Sequence, residues 1–292
     1  MNSSHVVVEI DMDTADFSPA ELLLPETVDF YRNAMRVLSD EGIPFLVAGA
    51  YAFQRYTGIF RHTKDFDVFI RYVDVNRALQ AMEGAGYPTE VTFQHWLAKA
   101  YNGEDFVDLI FKSGNGISEV DDTWFDRAVE DEVLGMKALL CAPEEMIWTK
   151  AFIMERERYD GADVAHLIRG SADRINWQRL LYLFGPHWRI LLSHLILFGF
   201  IYPSERSRIP DEVMQELIAR LQNERNSPSP TAKICYGTLI SRQQFLKDIE
   251  EWGFEDARRL PRGTMTKQQI AEWTEGIKVD GFCKTPDEKV QK

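Results

Sequence analysis

Two stretches, Phe45-Leu46-Val47-Ala48-Gly49-Ala50-Tyr51-Ala52 and Arg61-His62-Thr63-Lys64-Asp65-Phe66-Asp67-Val68-Phe69-Ile70, decide how the chain is read. Residues 45–48 are a short apolar run between Gly42-Ile43-Pro44 and Gly49, the pattern of a buried strand. Gly49-Ala50 then leads into a short helix reaching Tyr56. A glycine turn between a strand and a helix N-terminus lets backbone N–H groups approach phosphate oxygens, helped by the helix dipole. A purely steric role for Gly49 is the other reading. Asp65–Ile70 is a second strand. Its period of two puts Asp65 and Asp67 on one face and Phe66, Val68 and Ile70 on the other. Two carboxylates this close repel unless a cation lies between them, and magnesium takes carboxylate oxygens together with phosphate and water. Without a cation, the pair simply decorates a solvated strand end.

Working outward, Pro25-Glu26-Thr27 opens a helix that runs to Asp40 and stops at Gly42-Ile43-Pro44. A helix is predicted over 74–84 and strands over 89–93 and 96–101. Asn102-Gly103 is a hairpin turn, and Phe106-Val107-Asp108-Leu109-Ile110-Phe111 completes the hairpin. Asp108 is a lone acid inside an apolar strand. It is costly to bury unless paired or coordinated, and on an edge strand it would point at water instead. These elements predict an α+β fold, with helices packed on a mixed β-sheet, for the first ~140 residues.

After Ala142-Pro143 the pattern turns helical, with helices predicted over 144–157, 161–168, 177–184, 187–199 and 211–223. Asn226-Ser227-Pro228-Ser229-Pro230 breaks the pattern, and one short amphipathic segment, 243–252, follows. The predicted organisation is a lead-in or peripheral strand over 1–24, a core over 25–142, a helical domain over 143–225 and a polar tail over 226–292. That tail is expected to be dispensable for folding.

The 292 residues carry 46 acids against 33 bases, a net charge of −13. Bases and acids balance after Tyr202, so the excess of acid lies before it. Such a body disfavours a general nucleic-acid binder, whose affinity comes from neutralising phosphates. The apolar run 190–202 is interrupted by Ser193 and His194 and is short of the ~20 residues of a membrane span. The N-terminus lacks the basic region of a secretory signal. Cys141, Cys235 and Cys283 are too few and too scattered for a disulfide framework. A cytoplasmic protein without a membrane partner is expected.

Taken together, residues 45–52, Arg61-His62-Thr63-Lys64-Asp65-Phe66-Asp67-Val68 and Val107-Asp108-Leu109 resemble the glycine motif, D-x-D motif and third carboxylate of the nucleotidyltransferase superfamily, the DNA polymerase beta-like fold. The chain looks most like the bacterial minimal and abortive-infection-type members. The resemblance continues through Ala142-Pro143 to Lys150, then Arg156, Asp160 and Asp163, so it covers about residues 43–170. It implies transfer of a nucleoside monophosphate from a triphosphate such as ATP to an acceptor hydroxyl, with release of pyrophosphate. Asp65, Asp67 and Asp108 would be catalytic and would hold two Mg2+ ions. Gly49, Ala50, Lys64, Lys150 and Asp163 would contact the nucleotide. Ala50 departs from the family's second glycine or serine and removes a hydroxyl contact. The acceptor is open between a small molecule, a protein and tRNA, with net charge opposing the last. The alternative is an inactive nucleotidyltransferase-fold protein serving as a nucleotide-binding or interaction module.

Overall fold

The computed structural model describes residues 23–61, 63 and 65–275. Most of the lead-in expected over residues 1–24 lies outside them. Helix α1 (Pro25–Asp40) starts on a proline, whose missing N–H costs nothing at a helix start. It buries Phe30, Tyr31, Ala34, Met35 and Leu38 along one face. The elements β1 (Leu46–Val47), α2 (Gly49–Thr57), β2 (Asp65–Phe69), α3 (Val75–Gly84), β3 (Thr89–Phe93), β4 (Leu97–Asn102) and β5 (Asp105–Ile110) follow as the pattern predicts, to within one or two residues.

Helix α4 (Asp122–Asp126) and a second hairpin, β6 (Val129–Val133) and β7 (Met136–Leu140), were not foreseen. This hairpin turns through Leu134 and Gly135, both at positive φ (51° and 76°). A leucine there is strained. It is held because its side chain is buried and its carbonyl accepts a hydrogen bond from Arg32 Nε at 2.6 Å. The seven strands form one mixed sheet in the order β3-β4-β5-β2-β1-β7-β6. Central β2 pairs in parallel with β5, Asp67 opposite Asp108, and antiparallel with β1. The Phe66 ring stacks on Tyr31 of α1 and meets Tyr51 of α2 edge-on, both at 5.0 Å. This seals one face of β2 and leaves the aspartate face open.

The helical part comprises α5 (Pro143–Ala151), α6 (Gly161–Ser171), α7 (Trp177–Phe184), α8 (Trp188–Ile201) and α9 (Asp211–Arg225). Helix α5 stops six residues before the predicted Glu157. The chain instead folds back, with Glu155 N–H donating to the Arg158 carbonyl (2.8 Å) and Asp160 N–H to that of Ile153 (3.1 Å). Trp177–Ile201 is long and apolar enough to cross a membrane by length and composition alone. Gly185-Pro186 divides it into α7 and α8, and Leu180, Phe184, Leu191, Leu195 and Phe198 are buried in the core.

The residues after Asn226, expected as a polar tail with one short helix, hold more secondary structure than that. They form β8 (Ile234–Cys235), α10 (Leu246–Glu250), β9 (Glu255–Asp256) and α11 (Lys267–Glu275), with β8 and β9 paired in parallel. Leu239, Ala257 and Met265 are buried, and the Arg258 guanidinium is fully buried on Asp256 (2.7 Å). Asn115 Nδ2 donates to the Leu239 carbonyl (2.8 Å) and Thr264 Oγ1 to the Gly116 carbonyl (2.9 Å). The segment escaped notice because it is held by ion pairs and single contacts, with little periodicity. Deleting residues 227–292 is therefore expected to lower the thermal midpoint by about 5 °C or more, given the apolar area it would expose. Calorimetry decides this, and an unchanged midpoint would restore the dispensable tail.

Candidate active site

The parallel register of β2 and β5 brings the three aspartates together. Carboxylate oxygens of Asp65, Asp67 and Asp108 all lie within 4.8 Å of one another. Gly49 sits against them at φ +52°, and a Cβ on it would land on the Asp67 carboxylate. Glycine is thus required twice, for conformation and for space. The Ala48 N–H donates to the Asp67 carbonyl at 2.9 Å and fixes this approach. Thr63 Oγ1 donates to Asp65.

Burial pushes the Asp67 carboxyl up to about 7, reinforced by Asp65 and Asp108 and opposed by Lys150 and Arg158. Burial also raises Asp108, against the pull of Lys99, with Asp65 adding to the rise. Lys99 on β4 faces Asp108 across the strand pair, its Nζ 2.8 Å from Oδ1 and 3.8 Å from the Phe106 ring centroid. This is a concentration of negative charge that a divalent cation relieves. Three hard oxygen donors on rigid strands suit magnesium, with remaining positions for phosphate and water.

A cavity of about 310 Å3 opens from these acids. Gly49, Asp65, Asp67, Asp108 and Lys150 of the sequence-predicted set line it together. Ala50 instead lines an adjoining hollow with Arg61 and Thr63. Asp163 lies behind Lys150 and binds Lys150 Nζ (2.8 Å) and Arg61 Nη2 (2.5 Å). Burial alone would raise its carboxyl, but the hydrogen bonds from Arg61 and Lys150 prevail and hold it low. Lys64 is outside the described residues.

Sequence reading missed Lys99, Arg158, Glu155, Trp96, Arg242 and Trp273. Lys99 was not within reach: the expected Asn102-Gly103 turn would have set Leu97 opposite Asp108, but the chain turns one residue later, at Gly103-Glu104, and that register sets Lys99 there. Arg158, rather than the conspicuous Arg156, lines the cavity because α5 ends early, and it binds Asp160 at 2.9 Å. Trp96, Arg242 and Trp273 meet the cleft only through long-range packing.

No protein-family profile matches the chain, and no curated protein matches it. Among solved structures it is similar to the antibiotic-resistance factor ANT(2'')-Ia, with 12% identity and a TM-score of 0.40 over 58% of this chain and 96% of that one. It is also similar to the lincosamide antibiotic adenylyltransferase LnuA in its lincomycin-bound form, with 13% identity and a TM-score of 0.36 over 50% and 96%. A third is JHP933 from Helicobacter pylori, with 12% identity and a TM-score of 0.32 over 70% and 97%. All three scores lie below 0.5, and the overlaps are partial.

Two outcomes follow from the packing of Asp67. Gly49→Ala should cost about 1–2 kcal/mol from the positive φ alone, and more from the collision with Asp67; chemical denaturation measures it. A carboxyl whose folded pKa is raised holds a proton that the unfolded chain has already released, so it lowers stability as pH rises from about 4 to 7. In metal-free buffer, Asp67→Asn should remove that part of the slope and raise the thermal midpoint at pH 8 by ~2 °C or more. An equal or lower midpoint than wild type at pH 8 would contradict the electrostatic account.

Proposed function

We propose that the protein is a metal-dependent nucleotidyltransferase, which transfers a nucleoside monophosphate from a triphosphate to an acceptor hydroxyl. The observation that carries this reading is the meeting of three carboxylates on neighbouring strands with a glycine at a helix N-terminus. Asp65, Asp67 and Asp108 would hold magnesium, two ions in this reading. Bound there, magnesium neutralises the triphosphate, polarises the α-phosphorus and makes the acceptor hydroxyl more acidic. The backbone N–H groups of Gly49 and Ala50, at the start of α2, receive the β- and γ-phosphates. Lys150, oriented by Asp160 and Asp163, and Arg158 lie on the opposite wall, where they offset charge on the departing pyrophosphate. Lys64 enters the proposal from its place beside Asp65 in the sequence.

The acceptor oxygen forms a bond to the α-phosphorus as the bond to the pyrophosphate oxygen breaks. The acceptor proton passes to Asp108, whose Oδ1 Lys99 steadies. ATP is the natural first triphosphate to test, and dependence on cellular triphosphates fits a cytoplasmic setting.

Asp67→Asn tests this assignment. The variant should fold and should lose magnesium-dependent nucleotide binding and transfer by at least about 100-fold, since a ligand carboxylate is gone. Calorimetric titration with ATP, with and without magnesium, and label transfer from α-labelled triphosphates measure the two. Wild-type activity in the variant would sink the proposal. Magnesium affinity of the wild type should also rise with pH through about 7, as Asp67 gives up its proton.

A further inference from the structure

The cleft has a second end, built by residues that take no part in the chemistry above. Trp96, just before β4, and Trp273 of α11 meet edge to face with ring centroids 5.1 Å apart. Phe93 backs both, stacked on Trp96 at 5.7 Å and edge-on to Trp273 at 5.3 Å. Gly114 lets Trp273 lie close, since a Cβ there would enter the indole. The Arg242 guanidinium covers the Trp273 ring at 4.4 Å. Glu155 anchors this segment, accepting from Ser241 Oγ (2.6 Å), Arg242 N–H (2.9 Å) and Arg242 Nε (3.3 Å).

Distance and charge restrict what can sit there. Asp108, Ile110 and Lys112 all line the cleft. At about 3.3 Å per residue they span ~13 Å from the reacting centre toward the indoles. That is room for one or two rings. Lys150 and Arg158 belong to the phosphate end; among the described residues, the two cations at the indole end are already ion-paired, Lys112 with Glu119 (3.3 Å) and Arg242 with Glu155 (3.3 Å). A polynucleotide needs free cations along an open groove. The indoles instead offer rigid apolar surface suited to the face of a ring.

We propose that this end of the cleft is the acceptor subsite, that it takes a small uncharged hydroxylated ring compound, and that Trp273 is its specificity-determining contact. The inference rests on the nucleotidyltransferase reading for its chemistry, while the subsite itself can be tested by binding alone. A ring seated against Trp273 directs its hydroxyl along β5 toward Asp108, and among the described residues the two cations at this end, Lys112 and Arg242, are taken up by Glu119 and Glu155.

The experiment uses the full chain with three probes: uridine, methyl glucoside and a tRNA transcript. Calorimetric titration without nucleotide measures binding, and transfer from α-labelled ATP with magnesium measures use as acceptor. At least one of the two ring compounds should bind saturably and become labelled, and which one distinguishes a heteroaromatic ring from a sugar face. Trp273→Leu, which keeps apolar bulk and removes the ring, should weaken that binding and raise the acceptor KM about tenfold, as loss of an aromatic contact does. Its ATP affinity should match wild type, which also shows that the variant is folded, and Trp273→Phe should restore most of the acceptor affinity. Binding of neither ring compound, labelling of tRNA alone, or an unaltered acceptor KM in Trp273→Leu overturns the proposal. Ring binding that depends on Trp273 without any binding of magnesium–ATP would support the subsite and bring down the transferase reading instead.

Discussion

Three carboxylates held together against their own repulsion are the constraint around which the molecule is arranged. The parallel pairing of β2 with β5 sets Asp67 opposite Asp108, and the two-residue alternation of β2 adds Asp65. Strands deliver this geometry where a loop would relax away from it, because the backbone ladder resists separation of the charges. The neighbours are chosen accordingly. Gly49 yields space to one carboxylate, Lys99 pairs with another, and Lys150 and Arg158 approach from the helical side. Fixed positive groups compensate part of the charge, and burial with the neighbouring carboxylates still pushes the Asp67 carboxyl up to about 7.

The helical part and the C-terminal segment complete the enclosure by different physics. Helix α5 and the loop after it bring Lys150 and Arg158 through a buried network in which Asp163 of α6 and Asp160 aim Lys150. The C-terminal segment brings aromatic surface, and it is tied down chiefly by Glu155, Asn115 and Thr264. One end of the cleft is therefore dominated by charged groups, and the other carries the indoles of Trp96 and Trp273.

Much of the α+β core was legible in the sequence because its signals are local. Alternation in Asp65–Phe69, the turn signal around Gly103 and Pro25 each specify structure to within a residue or so. The aspartates could be picked out for the same reason: acids at alternate positions in apolar strands have few explanations. The β6–β7 hairpin was hidden because Glu130, Asp131 and Glu132 dilute its apolar pattern, and Leu134-Gly135 turns through a conformation that leucine rarely adopts. The end of α5 was hidden because Phe152–Glu157 carries no local break; Glu155 leaves the helix to serve partners almost ninety residues away. Trp273 could not be assigned from its neighbours in sequence, since what defines its place lies on β3, at Trp96 just before β4, in the loop after β5 and on Arg242.

The dispersal of the cleft along the chain has a consequence for synthesis. Gly49 and the aspartates precede Trp273 in the chain, and Trp273 is the last of the described residues that line the cavity. A nascent or prematurely terminated chain thus owns the acidic centre while one wall is missing. Synthesis of the segment that carries Trp273 closes the cleft, so the order of residues along the chain delays a finished pocket.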